Sequence, residues 1–389
     1  MPNLVGIGNS QVPTNAMLGG LAYEDSSVLD QVRSGRKNMI INGDMRICQR
    51  YSLNQANNLS NGTHTYHVDR FKAYESTDGI LQGEWKSNVD LDAGDSSFQY
   101  AVRYTPATSD TSLSNSQMVF ISHVIELENM KHLAYGYSYA KTCTLSFYVK
   151  SNLTGTYCIA LLNNGTNNRQ FITEFKINDS NTWERKEITI PGDTTGTWSA
   201  DGLRIAWCLA SASNRQTSTV GSWQTSSTAY YGTNNIVNFM NNTNNTFHLT
   251  GVQFEIGEKA TDFEHIPYGD SLMRCYRYYV KLYTNTSDFP FGYGYKYSNG
   301  AHAVSVPLPT RMRTTPAATF SNLRIRGGHT GGNNHADDVT GLGGMTFSFG
   351  NFQSFTANTS NNNTSIGQSV VLTNSVSNNT SYIAFDSEI

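Results

Sequence analysis

Apolar and polar residues alternate with a period of two along much of the chain, and short apolar runs divided by polar turns make up most of the rest. Residues 98–104, 118–126, 143–150, 157–162, 171–177, 185–190 and 203–209 each predict a strand. Gly, Asn, Asp and Ser clusters separate them at intervals typical of a sandwich. Helical periodicity is nearly absent, with one turn expected within 125–134. A further strand is predicted at 249–256, where Val252, Phe254 and Ile256 share one face and Gln253 and Glu255 the other. Charged residues, a proline and two glycines break the pattern over 257–270. Asp270 and Ser271 can cap a single helical turn there, 272–275. Alternation resumes with Tyr276, Tyr278, Val280 and Leu282 opposing Arg277, Tyr279 and Lys281. One strand therefore closes a first domain, 38–268, and another opens a second, 269–389.

In the second domain Val304 and Val306 alternate before prolines that mark strand ends or edges. Near the end of the chain Tyr382, Ala384 and Asp386 oppose Ile383 and Phe385. Between them lies a Gly/Asn/Ser/Thr-rich region, 327–363, with a strand-like stretch at 345–355. A smaller C-terminal β-sandwich is expected, its loops 287–298 and 327–338 forming a tip. Residues 1–37 read as a separate arm with a short helix at 26–34, capped by Asp25 and stopped by Gly35. Leu4, Val12, Leu18, Leu21, Val28 and Val32 are its apolar positions. An arm this short cannot bury a core of its own, so these residues are expected to dock on another protein.

At 389 residues the chain exceeds the usual size of one domain, which fits this division. A charged fraction of only 15% with 12% aromatic residues argues against disorder. The net charge of −3 gives no general attraction to nucleic acid. No apolar run is long enough to suggest membrane insertion, and the opening residues read as lacking a secretory signal. Cys48, Cys143, Cys158, Cys208 and Cys275 show no metal-type spacing and read as free thiols made in a reducing cytoplasm.

No catalytic motif stands out, and nothing in the sequence calls for a cofactor or metal. Asp90, Asp92 and Asp95 lie close together but read as a turn, and no pair of acids is singled out for glycoside hydrolysis. His329, His335, Asp337 and Asp338 resemble a metal-ligand set in composition, yet their glycine-rich setting reads as a solvated loop. Trp183, at a strand start, reads as core. Trp198, Trp223, Tyr230 and Tyr231 fall in polar, loop-like stretches, either stacking on a sugar ring or closing the sandwich by packing. Tyr293, Tyr295 and Tyr297 lie in a Tyr/Gly-rich segment, 289–300, which reads either as a contact loop or as an alternating strand with cross-strand tyrosine pairs.

Several stretches carry a resemblance. Thr250-Gly251-Val252-Gln253-Phe254-Glu255, then Ala260-Thr261-Asp262-Phe263-Glu264, then Cys275-Tyr276-Arg277-Tyr278-Tyr279 resemble tail-fibre-like and other appendage proteins of tailed bacteriophages. The arm, the tryptophan-containing segment 182–198, the run 309–316 and the final SYIAFDSEI resemble the same family. The opening at Asn38 resembles phage jelly-roll modules and, more distantly, carbohydrate-binding modules, with Arg46 where those modules place an acid that helps to hold calcium. The resemblance implies an all-β chain: a jelly-roll β-sandwich, then a smaller C-terminal β-sandwich, with an N-terminal attachment arm. It further implies a homotrimeric virion subunit, made in the host cytoplasm and attached to other virion proteins of the tail, neck or capsid. Host-surface glycans would be bound without covalent chemistry. A head or neck decoration fibre is the alternative within that class, and a polysaccharide depolymerase the alternative outside it.

Overall fold

The structure is a computed structural model that describes residues 36–87, 98–166, 168–284, 286, 289–327, 335–349, 351–360, 365–375 and 381–388, with backbone alone at 335 and 345–349. The attachment positions Leu4, Val12, Leu18, Leu21, Val28 and Val32 lie outside the described residues, as do Asp90, Asp92 and Asp95.

Among the described residues thirteen strands build the first unit. They begin with β1 (Ala56–Asn58), β2 (His64–Val68), β3 (Phe71–Glu75), β4 (Ile80–Ser87) and β5 (Tyr100–Thr108). Next come β6 (Met118–Ile125), β7 (Cys143–Ser151), β8 (Gly155–Asn163), β9 (Arg169–Ile177) and β10 (Glu184–Ile190). The last are β11 (Leu203–Ser211), β12 (Trp223–Thr225) and β13 (Phe247–Ile256). One sheet has the order β1-β4-β5-β13-β7-β10 and the other β12-β9-β8-β11-β6-β3-β2, all neighbours antiparallel. Alternation sends Val102, Leu145, Phe147 and Leu249 of the first sheet inward. Ile121, Ile159, Ile205 and Trp207 of the second meet them in one core. Trp207 lies within ring contact of Phe147 on the facing sheet (5.7 Å) and of Phe71 on its own (6.2 Å). The seven strands predicted before residue 210 are all present, and a single turn, α1 (Leu127–Met130), occupies the expected place.

Sequence periodicity missed β1 to β4. In β2, β3 and their connection His67, Asp69, Arg70 and Lys72 are all buried, His67 beside Tyr104 within the first unit and the other three where the sheet lies against the second. Buried charges erase the apolar–polar contrast on which pattern reading depends.

The residues behind the family resemblance form a structural clamp. The Asn38 side chain donates to the Val252 carbonyl (3.1 Å) and accepts from the Phe254 amide (3.1 Å), tying the domain opening to its last strand. The Glu255 carboxylate accepts from the amide (2.9 Å) and hydroxyl (2.7 Å) of Thr261, while Gln253 Oε1 accepts from the Glu264 amide (2.8 Å). Arg46 pairs with Asp44 (2.9 Å) and donates to the Ile266 carbonyl. Arg46 thus ties the domain opening to the linker.

The elbow differs from the single turn expected. It is a nine-residue helix, α2 (Tyr268–Tyr276), with Pro267 at its N-cap, and Tyr276 belongs to the helix rather than to the following strand. Proline is suited to a helix start, and Asp270 sits in the first turn where a carboxylate complements the helix dipole. Ser271 and Cys275, four residues apart, share the buried face.

The second unit holds β14 (Tyr279–Thr284), β15 (Pro290–Ser298), β16 (Ala301–Pro307), β17 (Ala317–Ser321) and β18 (Leu323–Gly327). It is completed by β19 (His335–Phe349), β20 (Phe352–Thr359), β21 (Ser369–Asn374) and β22 (Ser381–Asp386). The chain is all-β, as expected, but this unit takes a form other than two open layers. Strands β15-β16-β20-β19-β18-β21 close into a barrel, and β14-β22-β17 form a small sheet beside it. Pairing of β15 with β21 shuts the ring, removing two sheet edges that a sandwich would leave open. Val304, Val306, Ile325, Phe355 and Leu372 fill the interior and pack against Val280, Ile383 and Phe385 of the small sheet.

The two units meet across a small apolar cluster, Ile41 and Ile47 against Cys275 and Tyr278, flanked by ion pairs. Arg277 grips Glu126 through two hydrogen bonds (3.1 and 2.9 Å). Arg50 pairs with Asp386 (3.0 Å) and lies 3.6 Å from the centre of the Tyr279 ring. Arg70, buried, pairs with Glu388, donates to the Val124 carbonyl (2.7 Å) and stacks 3.4 Å from the Tyr278 ring. The last residues therefore fold back onto the first unit.

Candidate functional site

The sequence around Tyr293 reads Phe-Gly-Tyr-Gly-Tyr-Lys-Tyr, and the backbone explains the alternation. A side chain at Gly294 would place its Cβ 1.9 Å from the Ala303 carbonyl oxygen of neighbouring β16. Only glycine lets β15 approach that closely, so bulk on this strand goes to the other face. Tyr293, Tyr295 and Tyr297 accordingly stand on the outside of the barrel, 62%, 54% and 45% exposed. Segment 287–298, expected as a loop, is instead largely strand β15, and the alternating-strand reading of these residues is the correct one.

Residues two apart on a strand lie about 7 Å apart along it, so the three rings form a ladder. Their cross-strand neighbours are small. Tyr293 lies opposite Ser305 and Val371, and Tyr295 opposite Ala303 and Ser369. One strand further, Ser305 and Ala303 face Ser354 and Thr356. These short side chains leave ring faces uncovered and put hydroxyls beside them. The Tyr297 hydroxyl lies 3.2 Å from that of Thr356, and Ser305 and Ser354 are 2.7 Å apart. Aromatic faces supply apolar area for the C–H surface of a sugar ring, and fixed hydroxyls exchange hydrogen bonds with its hydroxyls. Ser305, Ser354 and Thr356 were not legible as site residues, since only strand register sets them beside the tyrosines.

The first-unit aromatics divide. Trp198 is buried, its indole N–H donating to Asp193 (3.2 Å), and its ring meets Tyr135 and Trp223. Tyr231 is buried too, stacked on Phe120 with centroids 4.4 Å apart, and accepts a hydrogen bond from Arg204 (2.9 Å). Neither presents a face to solvent, so for these two the packing alternative holds and an open stacking surface does not. Their loops fold back over the sandwich, turning polar-looking segments into covers for apolar strand faces. Trp223 and Tyr230 are half-buried; Trp223 donates to the Pro191 carbonyl (2.7 Å) and closes the β9–β12 edge. Trp183 is buried against Phe98 and Ala101.

The residues with metal-ligand chemistry do not converge in a solvated loop. Asp337 and Asp338 belong to β19. Asp338 pairs with Arg324 (2.8 Å), and Asp337 is buried, facing the opposite way. His329 and the His335 side chain lie outside the described residues. Among those described, no group of three or more His, Cys, Asp or Glu side chains is placed to hold a metal ion.

No family model and no curated protein matches the chain. Among solved structures it is similar to a family 11 carbohydrate-binding module of a Clostridium thermocellum cellulase, at 14% identity and TM-score 0.28, over 52% of this chain and 99% of that one. It is similar to the enzymatically active domain of bacteriophage CBA120 tailspike protein 4, at 11% identity and TM-score 0.29. That match spans 51% of this chain and 21% of the other. A xylan-binding domain from Paenibacillus barcinonensis matches at 16% identity and TM-score 0.25, over 48% of this chain and 91% of its own. Scores of this size carry no argument about function, and the sandwich assignment stands on the two sheets themselves.

Proposed function

We propose that this chain is a non-catalytic appendage subunit of a tailed-phage virion, of tail-fibre type. It docks through residues 1–37 and binds host-surface glycans with the outer face of its barrel. The observation that carries the glycan reading is the ladder of Tyr293, Tyr295 and Tyr297, exposed on a closed barrel that holds the rings at fixed spacing. The resemblance of motifs from the arm to the final strand supports the virion role. Single contacts of this kind are weak, and several copies on one particle would convert them into firm adhesion.

Replacing all three tyrosines with serine tests the reading. Each aromatic contact contributes on the order of 1–2 kcal/mol, so adsorption of particles to host cells is expected to fall about tenfold or more. The melting temperature should stay unchanged, because the rings face solvent. Equal adsorption with equal melting would remove the ladder from host contact. The proposed homotrimer is checked by light scattering, where a mass about three times 43.0 kDa is expected and a monodisperse monomer would refute it.

A further inference from the structure

A cleft of about 250 Å³ opens on the outer face of the six-stranded sheet, in the first unit, whereas the tyrosine ladder stands on the second. Its floor is made where β13 bulges, between Thr250 and Gln253, against β7. Gly251 sits in that bulge with φ +60°, and a Cβ there would come within 2.8 Å of the Tyr148 ring and 2.9 Å of Phe98. Glycine thus lets two aromatic rings settle onto the sheet. Phe98 lies 5.4 Å from Tyr148 and 4.9 Å from Phe263, so Tyr148 on the floor and Phe263 on the linker give the cleft aromatic walls.

Polar groups converge on the same space. Ser146, Asp262 and His265 line the cleft. Among the described residues the Ser146 hydroxyl, the Asp262 carboxylate and the His265 ring make no hydrogen bond. The Asp262 backbone is nevertheless fixed, its carbonyl accepting from Lys37 (2.5 Å) and from Gln253 (3.2 Å). Arg185 forms the rim, donating to the Thr261 carbonyl (3.0 Å), with its charge met by Glu187. Asp262 is the acidic group on the lining, and Arg185 is charge-paired with Glu187, a lining that favours a ligand rich in hydroxyls over an anionic one. A carboxylate with two acceptor oxygens suits a pair of adjacent hydroxyls, and aromatic walls suit the apolar face of a sugar ring. The volume falls just below the range of drug-sized pockets, about 300–1,000 Å³, and fits one ring rather than a chain.

We infer that this cleft binds a single neutral pyranose residue, a second saccharide site on the first unit and independent of the barrel face. The test uses the full chain and three probes, the methyl pyranosides of glucose, galactose and mannose, followed by saturable ligand-observed NMR. At least one probe is expected to bind. Asp262→Asn, a surface change of one atom, should weaken that binding about tenfold, the loss of a charge-assisted hydrogen-bond pair. Phe263→Ala should do the same, with the melting temperature reporting any cost to packing. The Tyr293, Tyr295 and Tyr297 triple-serine variant should bind the probe as the wild type does, which separates this site from the ladder. Absence of saturable binding by all three probes, or equal affinity in Asp262→Asn, overturns the inference.

Discussion

Unfolding free energy is expected to drop by on the order of 3–5 kcal/mol as pH falls from about 6.5 to 5, well above the range in which surface carboxylates titrate. The cause is a set of histidines folded in neutral form. Burial lowers His67 to about 4 and His248 to about 3, with Lys150 and Arg103 adding to the effect at His248. His123, fully buried with Arg70 nearby, is held well below its ordinary value. A folded pKa below the unfolded one means that stability is fully present above about 6.5. It is lost as pH falls, because the unfolded chain takes up protons that the folded chain refuses. Each such histidine contributes about 1.4 kcal/mol per pH unit. Asp69, raised to about 6 chiefly by burial, acts in the opposite sense, since its folded carboxyl accepts a proton before the unfolded one does. Asp44 and Glu75 are raised too, chiefly by burial, and act in the same sense as Asp69. Denaturant titrations at a series of pH values check this directly. A flat profile between pH 6.5 and 5 would mean that these rings are charged in the folded protein.

Replacing Arg70 with leucine is expected to cost about 3–5 kcal/mol, the usual consequence of removing one partner from a buried ion pair. The guanidinium pairs with Glu388, donates to the Val124 carbonyl and stacks on Tyr278, so it joins β3, β6 and the end of the chain at one point. The Glu388 side chain is only 5% exposed. Without Arg70 that carboxylate keeps only the Arg50 guanidinium, 3.6 Å away, and must otherwise stay buried, take up a proton or leave, taking the last residues with it. Arg313 donates to the Ser387 carbonyl (2.9 Å), and the Ser387 amide to the Tyr278 carbonyl (2.8 Å), so release of the last residues would also break bonds within the second unit beside the boundary. Calorimetry should show the cooperative transition split or broaden. The double replacement, Arg70→Leu with Glu388→Met, should recover part of the loss, because apolar groups of similar volume often replace a buried ion pair at little cost. If the single replacement costs less than about 1 kcal/mol, the pair is no more than a surface contact.

Strand periodicity alone fixed the class and most of the sandwich. Strands such as β7, β8 and β11 bury one face in an apolar core, and alternation records that directly. The closing strand β13 and the linker beyond it were legible as landmarks, though their roles were not. Gln253, Glu255, Thr261 and Glu264 form a hydrogen-bonded clamp that no pattern of hydropathy encodes. Where charge is buried against a second unit, as at Asp69, Arg70 and Lys72, pattern reading failed. It left Trp198 and Tyr231 open between stacking and packing, because whether a loop residue is exposed depends on where the loop lies. The tyrosines of β15 could be named from sequence, but not their neighbours Ser305, Ser354 and Thr356. Side-chain direction on a strand follows from local alternation, whereas neighbours across strands follow from register. Register, barrel closure and the contact between units join residues far apart in the chain. Only the tertiary structure decides them.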